Sequence, residues 1–331
     1  MNIPKKYKNQ LAVLKNVLRN PKNKSFFVAG HHKPDGDTVG GSLAVYSLLR
    51  RLKKDVFLCN YDSIPEFLKF LPFSEKIKSV RKTDKKFDAA IILECSELSR
   101  FGNIINPQTQ SKITINIDHH VFQRDWADIN WADPSSSSVS EMIYYLFKFL
   151  KLPLTKREAI SLYTGIVTDT HNFTNANTNF QSHAIAAELI DMGVEPSFVE
   201  KEVYKTKSLN ALRLLSLALK NIKPDRTGKI AYTNITNSVL RETKATPEDT
   251  EEIVNYPGML PGVLVWMLFK ETNLRNSVKV SFRSVKNVDV NKVARIFSGG
   301  GHKNASGCTV EGTMKNVIAK VVKTVQKELK K

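Results

Sequence analysis

The residues of this 331-residue chain best suited to chemistry fall in short groups, each at the end of an apolar run. His31, Asp35 and Asp37 follow Phe26-Phe27-Val28-Ala29-Gly30. Glu94 ends Ile91-Ile92-Leu93-Glu94, and Asp118-His119-His120 ends the run Ile113 to Ile117. Brought together without a counter-charge, these carboxylates would repel one another and some would have to take up protons. Divalent cations remove that cost. Carboxylates with imidazoles and no thiolate suit manganese, and also iron or zinc, better than calcium or a soft metal. The set is too large for one ion. Two ions about 3.5–4 Å apart, sharing a carboxylate and a water, form a hydrolytic site for which phosphoester bonds are the natural substrate.

Such convergence needs a scaffold. Phe26 to Gly30, Asp55 to Asn60, Asp88 to Leu93 and Ile113 to Ile117 read as buried strands, with helices at Leu43 to Leu52, Ser138 to Leu150, Lys156 to Val167 and Gln181 to Met192. Strands alternating with helices predict an α/β fold with a mostly parallel sheet, whose strand carboxyl ends form the ligand edge. Pro196 to Ile222 reads as one Lys-rich connecting helix. Beyond Pro224-Asp225-Arg226-Thr227-Gly228 come strands at Lys229 to Ile235, Val263 to Phe269 and Ser277 to Arg283. A helix at Asp289 to Phe297, a glycine loop at Ser298 to Gly307 and a closing helix at Met314 to Lys330 complete the pattern. The expected organisation is a catalytic domain over residues 1–193, a connector over 194–225 and a smaller α/β domain over 226–331.

Six motifs in this order resemble the DHH phosphoesterases, in the subfamily with a C-terminal DHHA1 domain. They are His31-His32-Lys33-Pro34-Asp35-Gly36-Asp37, Glu94 with Arg100-Phe101-Gly102, Asp118-His119-His120, Gly165-Ile166-Val167-Thr168-Asp169-Thr170, Ser281-Phe282-Arg283-Ser284 and Gly299-Gly300-Gly301-His302. The resemblance runs from about residue 10 to the C-terminus and implies an N-terminal DHH and a C-terminal DHHA1 domain with the active site in a cleft between them. It implies that His31, Asp35 and Glu94 hold one metal and that Asp37, His119, Asp169 and Glu94 hold the other, with Mn²⁺ the expected pair. His120 would face the substrate phosphate as general acid, and Asp118 would orient the imidazoles. Arg100, Arg283, Gly299, Gly300, Gly301 and His302 would bind substrate, the glycines as an anion nest. The family's bridging acid is usually Asp, where this chain has Glu94, and a fourth glycine usually stands where this chain has Ser298.

The implied reaction is hydrolysis of very short oligoribonucleotides to mononucleotides and of 3′-phosphoadenosine 5′-phosphate (pAp) to AMP. Cyclic-di-AMP or linear pApA is the alternative substrate, and a nucleotide- or RNA-binding protein without metals the alternative of another class. The implied partners are these nucleotides, with no membrane and with homodimerisation left open. Other reactive residues have simpler readings. His32, His171 and His183 read as structural or peripheral, Cys95 as packing, and Ser135 to Ser138 as a helix cap lacking a base. The 50 Lys plus Arg against 32 Asp plus Glu, a net +18, favours polyanions but does not identify one. Three widely spaced cysteines and no signal peptide or apolar span predict a cytoplasmic protein.

Overall fold

The computed structural model describes residues 2–120, 125–250, 252–285 and 287–330, with the side chains of Glu248 and His302 outside that description. It divides into two compact units, Met1–Thr206 and Lys207–Lys331.

The first unit holds strands β1 (Ser25–Ala29), β2 (Asp55–Asn60), β3 (Lys78–Ser79), β4 (Ala89–Leu93), β5 (Thr114–Asp118) and β6 (Ile129–Ala132). They form a parallel sheet in the order β3-β2-β1-β4-β5-β6. The sheet runs outward in both directions from the β1–β4 pair, a reversal of strand order that opens a crevice at the carboxyl ends. Alternate side chains serve two apolar layers. Phe26 and Val28 join a core with helices α1 (Lys8–Arg19), α2 (Gly36–Arg51), α4 (Val139–Leu150), α5 (Lys156–Asp169) and α6 (Phe180–Asp191), whereas Phe27 and Ala29 pack with Cys59, Ile92, Cys95 and Phe101. The short helix α3 (Pro107–Gln110) precedes β5.

Helix α2 begins seven residues before the expected Leu43, and the glycines that suggested a turn explain why. Asp35 caps its start, accepting from the Thr38 N–H at 3.0 Å. Gly40 lies inside the helix because a Cβ there would stand 2.3 Å from the Ser161 carbonyl of α5. At Gly165 a Cβ would stand 2.0 Å from Ser140 Oγ and 2.7 Å from Asp37 Oδ1. These glycines bring α2, α5 and the start of α4 close enough for Asp37 to reach α4.

The expected connecting helix is three elements: α7 (Pro196–Glu200), a π-helical turn at Lys201–Lys205 and α8 (Leu209–Lys220). Thr206 is extended, and Ser208 starts α8 by accepting from the Ala211 N–H.

The second unit carries β7 (Lys223–Pro224), β8 (Ile230–Ile235), helix α9 (Asn237–Thr243), β9 (Val265–Glu271), β10 (Ser277–Ser284), helix α10 (Val290–Ile296), β11 (Gly300–His302), β12 (Ala305–Glu311) and helix α11 (Met314–Glu328). The sheet order is β11-β12-β10-β9-β8-β7, with β8 and β9 parallel and the other pairs antiparallel. Val317, Val321 and Val325, one turn apart on α11, pack on Val265, Phe269, Val280 and Phe282. Leu214 and Ala218 of α8 cluster with Ile235 and Leu268. Among the described residues no helix is long and apolar enough to cross a membrane.

The expected glycine loop is a hairpin, β11 against β12, with Gly300 opposite Gly307 and His302 opposite Ala305. Ser298 does not have the negative φ that would make serine harmless there: its φ is +57°. It follows the C-cap of α10, where the Ser298 N–H donates to the Arg295 carbonyl and the Gly299 N–H to the Ala294 carbonyl. This left-handed helix terminus is the position glycine normally takes. Ser298→Gly is therefore expected to stabilise the chain by about 0.5–1 kcal/mol, the left-handed penalty less glycine's own entropy cost. A urea midpoint at or below that of the parent protein would contradict it.

Candidate metal centre

Five chain segments deliver the site. Gly30 ends the first strand region and leads into His31, the N-terminal turn of α2 carries Asp37 and Thr38, β4 delivers Glu94, and β5 delivers Asp118, His119 and His120. Asp169 is the last residue of α5. Glu94 is buried and itself left-handed, at φ +57°, so the chain turns sharply off β4 at this residue.

The two oxygens of Glu94 face different histidines. Oε2 lies 3.7 Å from His31 Nε2, which is 3.5 Å from Asp35 Oδ2. Oε1 lies 3.4 Å from His119 Nε2, which is 3.6 Å from Asp169 Oδ2. These gaps are long for hydrogen bonds. They approach the separation of about 3–3.5 Å that neighbouring ligand atoms take around an ion with bonds of about 2.0–2.2 Å. Among the described residues His119 Nε2 is buried and has no hydrogen-bond partner. His31 Nδ1 sits 2.7 Å from the His32 carbonyl and His119 Nδ1 3.3 Å from the Ser136 carbonyl. A carbonyl at Nδ1 selects the tautomer that carries its proton there and leaves Nε2 as a lone-pair donor. Two sets could hold ions, His31 with Asp35 and Glu94, and Glu94 with His119 and His120, their ligand atoms within 4.8 Å of one another in each. Glu94 belongs to both, so these donors fit a pair of divalent ions.

Asp37 stands at the border of the cluster. Its Oδ2 accepts from the Val139 N–H at 2.5 Å and its Oδ1 from the Ser140 N–H at 2.9 Å, so the carboxylate caps the N-terminus of α4 as well as facing the site. Asp118 is fully buried, and its Oδ1 holds His120 Nδ1 at 2.8 Å. Among the described residues the imidazole it hydrogen-bonds is that of His120.

The charges of the metal-free cluster are frustrated. Burial, then the charge of Glu94, push Asp37 well above the usual carboxylate range. Burial and Asp35 raise Glu94. Burial, opposed by His119 and reinforced by Asp37, moves Asp169 up to about 7. Burial pulls both imidazoles down, yet Asp35 and Glu94 lift His31 to about 9, and Glu94 with Asp169 lift His119 to about 10. Protons therefore do the work that cations do in the loaded site. The two histidines hold protons more tightly folded than unfolded, so their contribution is complete below about pH 6.5 and is lost as pH rises through about 9 and about 10. The Asp169 penalty grows as pH climbs from about 4 to about 7. Metal-free protein is expected to melt at progressively lower temperature from about pH 6 to about pH 8.5, with the increment given by Mn²⁺ growing over that window. Melting curves with and without Mn²⁺ check this; an increment that shrinks with pH would contradict it.

Several supporting groups carry no sequence signature. The Thr38 hydroxyl donates to Glu94 Oε2. Asn177 Nδ2 donates to Asp169 Oδ2 at 2.7 Å and to the Ser137 carbonyl at 2.8 Å, tying the acid to the serine segment. That segment is a cap as expected: Ser138 Oγ accepts from the Glu141 N–H. His171, Asn172 and Phe173 are successive left-handed residues just beyond Asp169, a costly path that closes the end of α5.

The remaining candidates are placed as follows. The Arg100 carbonyl accepts from the His32 N–H at 2.6 Å and lies 2.7 Å from His32 Nδ1, which sets Arg100 beside the loop that carries His31. His171 meets Tyr204 edge-on, His183 stacks on Phe173, and Cys95 is buried, its carbonyl accepting from Trp126 Nε1. Arg283, Gly299, Gly300 and Gly301 belong to the second unit, as does the His302 backbone; the His302 side chain lies outside the described residues. Arg283 and His302 flank Ala305 in register across the sheet. Gly299 and Gly301 are demanded by packing, since a Cβ would come within 2.2 Å of the Gly307 carbonyl or 2.6 Å of the Ala305 carbonyl. At Gly300 a Cβ would meet nothing within 4 Å among the described residues.

Comparison with known proteins agrees with this architecture. The sequence matches the DHH family, N-terminal domain, over residues 25–166 and the DHHA1 domain over residues 228–331. It is 28% identical over 305 residues, 92% of this chain and 90% of the relative, to the bifunctional oligoribonuclease and PAP phosphatase NrnA of Thermus thermophilus. The protein of the same name from Bacillus subtilis is 29% identical over 286 residues, 85% of this chain and 87% of the relative. The crystal structure of an exopolyphosphatase-related protein from Bacteroides fragilis matches with a TM-score of 0.88 at 27% identity, over 98% of this chain and 96% of that one. With two matched domains in order and a shared-carboxylate cluster at the carboxyl edge of the first sheet, the chain belongs to the DHH/DHHA1 family of phosphoesterases, hydrolases of phosphoester bonds.

Proposed function

We propose that this phosphoesterase hydrolyses very short oligoribonucleotides to mononucleotides and pAp to AMP, using two Mn²⁺ ions. The observation that carries the reading is Glu94, whose two oxygens face His31 and His119 separately. His31, Asp35 and Glu94 hold one ion; Glu94, His119, Asp169 and Asp37 hold the other. When bound, the ions polarise the phosphoryl oxygens and acidify a water for attack. The chain's own residues do the rest. Asp118 fixes the His120 ring, one nitrogen of which lies among the ligand atoms of Glu94 and His119, and from there His120 serves as the general acid toward the leaving oxygen. Arg100, Arg283, His302 and the glycines Gly299 to Gly301 bind substrate phosphates, with no described atom within 4 Å of a Cβ at Gly300 on the edge strand β11.

The choice of substrate is supported by the names of the relatives and by the net charge of +18, which speeds capture of short polyanions. Three free, buried cysteines support a reducing, cytoplasmic setting. The test is hydrolysis by purified protein with Mn²⁺ of a panel comprising pAp, pApA, cyclic-di-AMP, two- to five-residue RNA and pyrophosphate. Short RNA and pAp are expected to give the highest kcat/KM. Preference for cyclic-di-AMP or pApA would move the assignment to those substrates, and no hydrolysis of any member would overturn it.

A further inference from the structure

We infer that Thr38 is a positioning residue for the metal centre, its hydroxyl anchoring the long side chain of Glu94 so that the carboxylate can be shared between two ions. The inference rests on the two-ion reading above and concerns a residue outside the six candidate ligands.

Thr38 is fully buried in the first turn of α2, between the two acids of the His31 group. Its backbone N–H donates to Asp35 Oδ1 at 3.0 Å, and its hydroxyl donates to Glu94 Oε2. One residue thus holds two of the three donors of that group, from both its main chain and its side chain. Its rotamer is not free to change. A Cβ built on Gly30 would stand 1.9 Å from Thr38 Cγ2, so the threonine methyl occupies the space that glycine leaves open, and the hydroxyl is turned to Glu94.

The anchor answers a need created by Glu94. Glutamate has one more rotatable bond than the aspartate of the resembling motif, and a longer side chain must surrender more rotamer entropy to hold one geometry. With Oε2 held by Thr38 and facing His31, Oε1 is left facing His119. Without the hydroxyl, Glu94 is expected to sample rotamers in which at most one of the two histidines shares its carboxylate.

Two substitutions separate the hydroxyl from the methyl. Thr38→Val keeps the methyl against Gly30 and removes the donor, whereas Thr38→Ser keeps the donor and removes the methyl. Mn²⁺ is titrated calorimetrically into metal-free, full-length protein, and urea unfolding is measured on the same metal-free samples. Thr38→Val is expected to bind Mn²⁺ roughly 10- to 100-fold more weakly, the usual loss when a group orienting a metal ligand is removed, with its metal-free urea midpoint also lowered because a buried Glu94 oxygen loses its donor. Thr38→Ser is expected to keep the parent's Mn²⁺ affinity and to unfold at lower urea. Should Thr38→Val not fold, Thr38→Ala read against Thr38→Ser makes the same comparison. Unchanged Mn²⁺ affinity in the variant without the hydroxyl, or equal loss with and without it, would overturn the role of Thr38 while leaving the metal centre standing. A parent protein that binds no Mn²⁺ would overturn the metal centre, and this role with it.

Discussion

His119→Ala is expected to lower turnover of short RNA by roughly a thousandfold or more, about 4 kcal/mol of transition-state stabilisation, while the chain stays folded. Among the described residues His119 Nε2 is buried without a hydrogen-bond partner, and Glu94 Oε1 and Asp169 Oδ2 lie 3.4 and 3.6 Å from it. In metal-free protein the charged imidazole offsets the buried Glu94 and Asp169 carboxylates, so the variant is expected to be less stable than the parent yet folded. Its loss removes a nitrogen that faces both acids. The check is kcat at saturating Mn²⁺ together with the far-ultraviolet circular dichroism of the variant; retained turnover in a folded variant would refute the assignment of His119 as a ligand.

Asp37→Ala, an equally natural choice from sequence, is a less clean experiment. Removing that carboxylate also strips the acceptor from the Val139 and Ser140 N–H groups at the buried start of α4. Unpaired buried donors cost about 1–3 kcal/mol, so lost activity in this variant would mix metal loss with destabilisation. Asp37→Asn keeps an acceptor for α4 and removes the charge, which makes it the better partner for His119→Ala.

Glu94→Gln carries the second large effect. Among the described residues Glu94 alone belongs to both candidate groups, so loss of its charge is expected to weaken both ions where loss of Asp35 would weaken one. The amide occupies nearly the same volume, and its carbonyl can still accept from the Thr38 hydroxyl, so the fold should persist. Equilibrium dialysis is expected to show bound Mn²⁺ falling from two ions per chain to less than one, with turnover reduced by roughly a thousandfold or more. A variant that still binds two ions would show that Glu94 is not the shared ligand.

How far the sequence could be read follows from the kind of signal each feature leaves. The strands before His31, Glu94 and Asp118 were legible because buried parallel strands are continuous apolar runs, and the ionisable residues stand at their ends. The start of α2 was not legible, because Gly36, Gly40 and Gly41 signal a turn locally, yet Gly36 and Gly40 serve the helix's close approach to α5 and Gly41 its packing on Ile143 and Val139 of α4. Strand β3 has two residues and β6 four, too short for a period to appear. The glycine segment 298–307 reads as a loop, yet the pairing of Gly300 with Gly307 makes it a hairpin, a long-range fact that local composition does not contain. Most candidate ligands were visible through residue type and place. Thr38, Asn177 and the Ser136 carbonyl were not, since each acts through single hydrogen bonds that depend on where other segments come to lie.

Hydrolysis of a short oligoribonucleotide by one protein preparation, measured first with excess chelator and then after adding Mn²⁺, addresses the central claim most directly. The Glu94-centred site predicts no detectable mononucleotide in chelator and full turnover once Mn²⁺ is restored. Equal rates in both conditions, or no product with Mn²⁺, would contradict it.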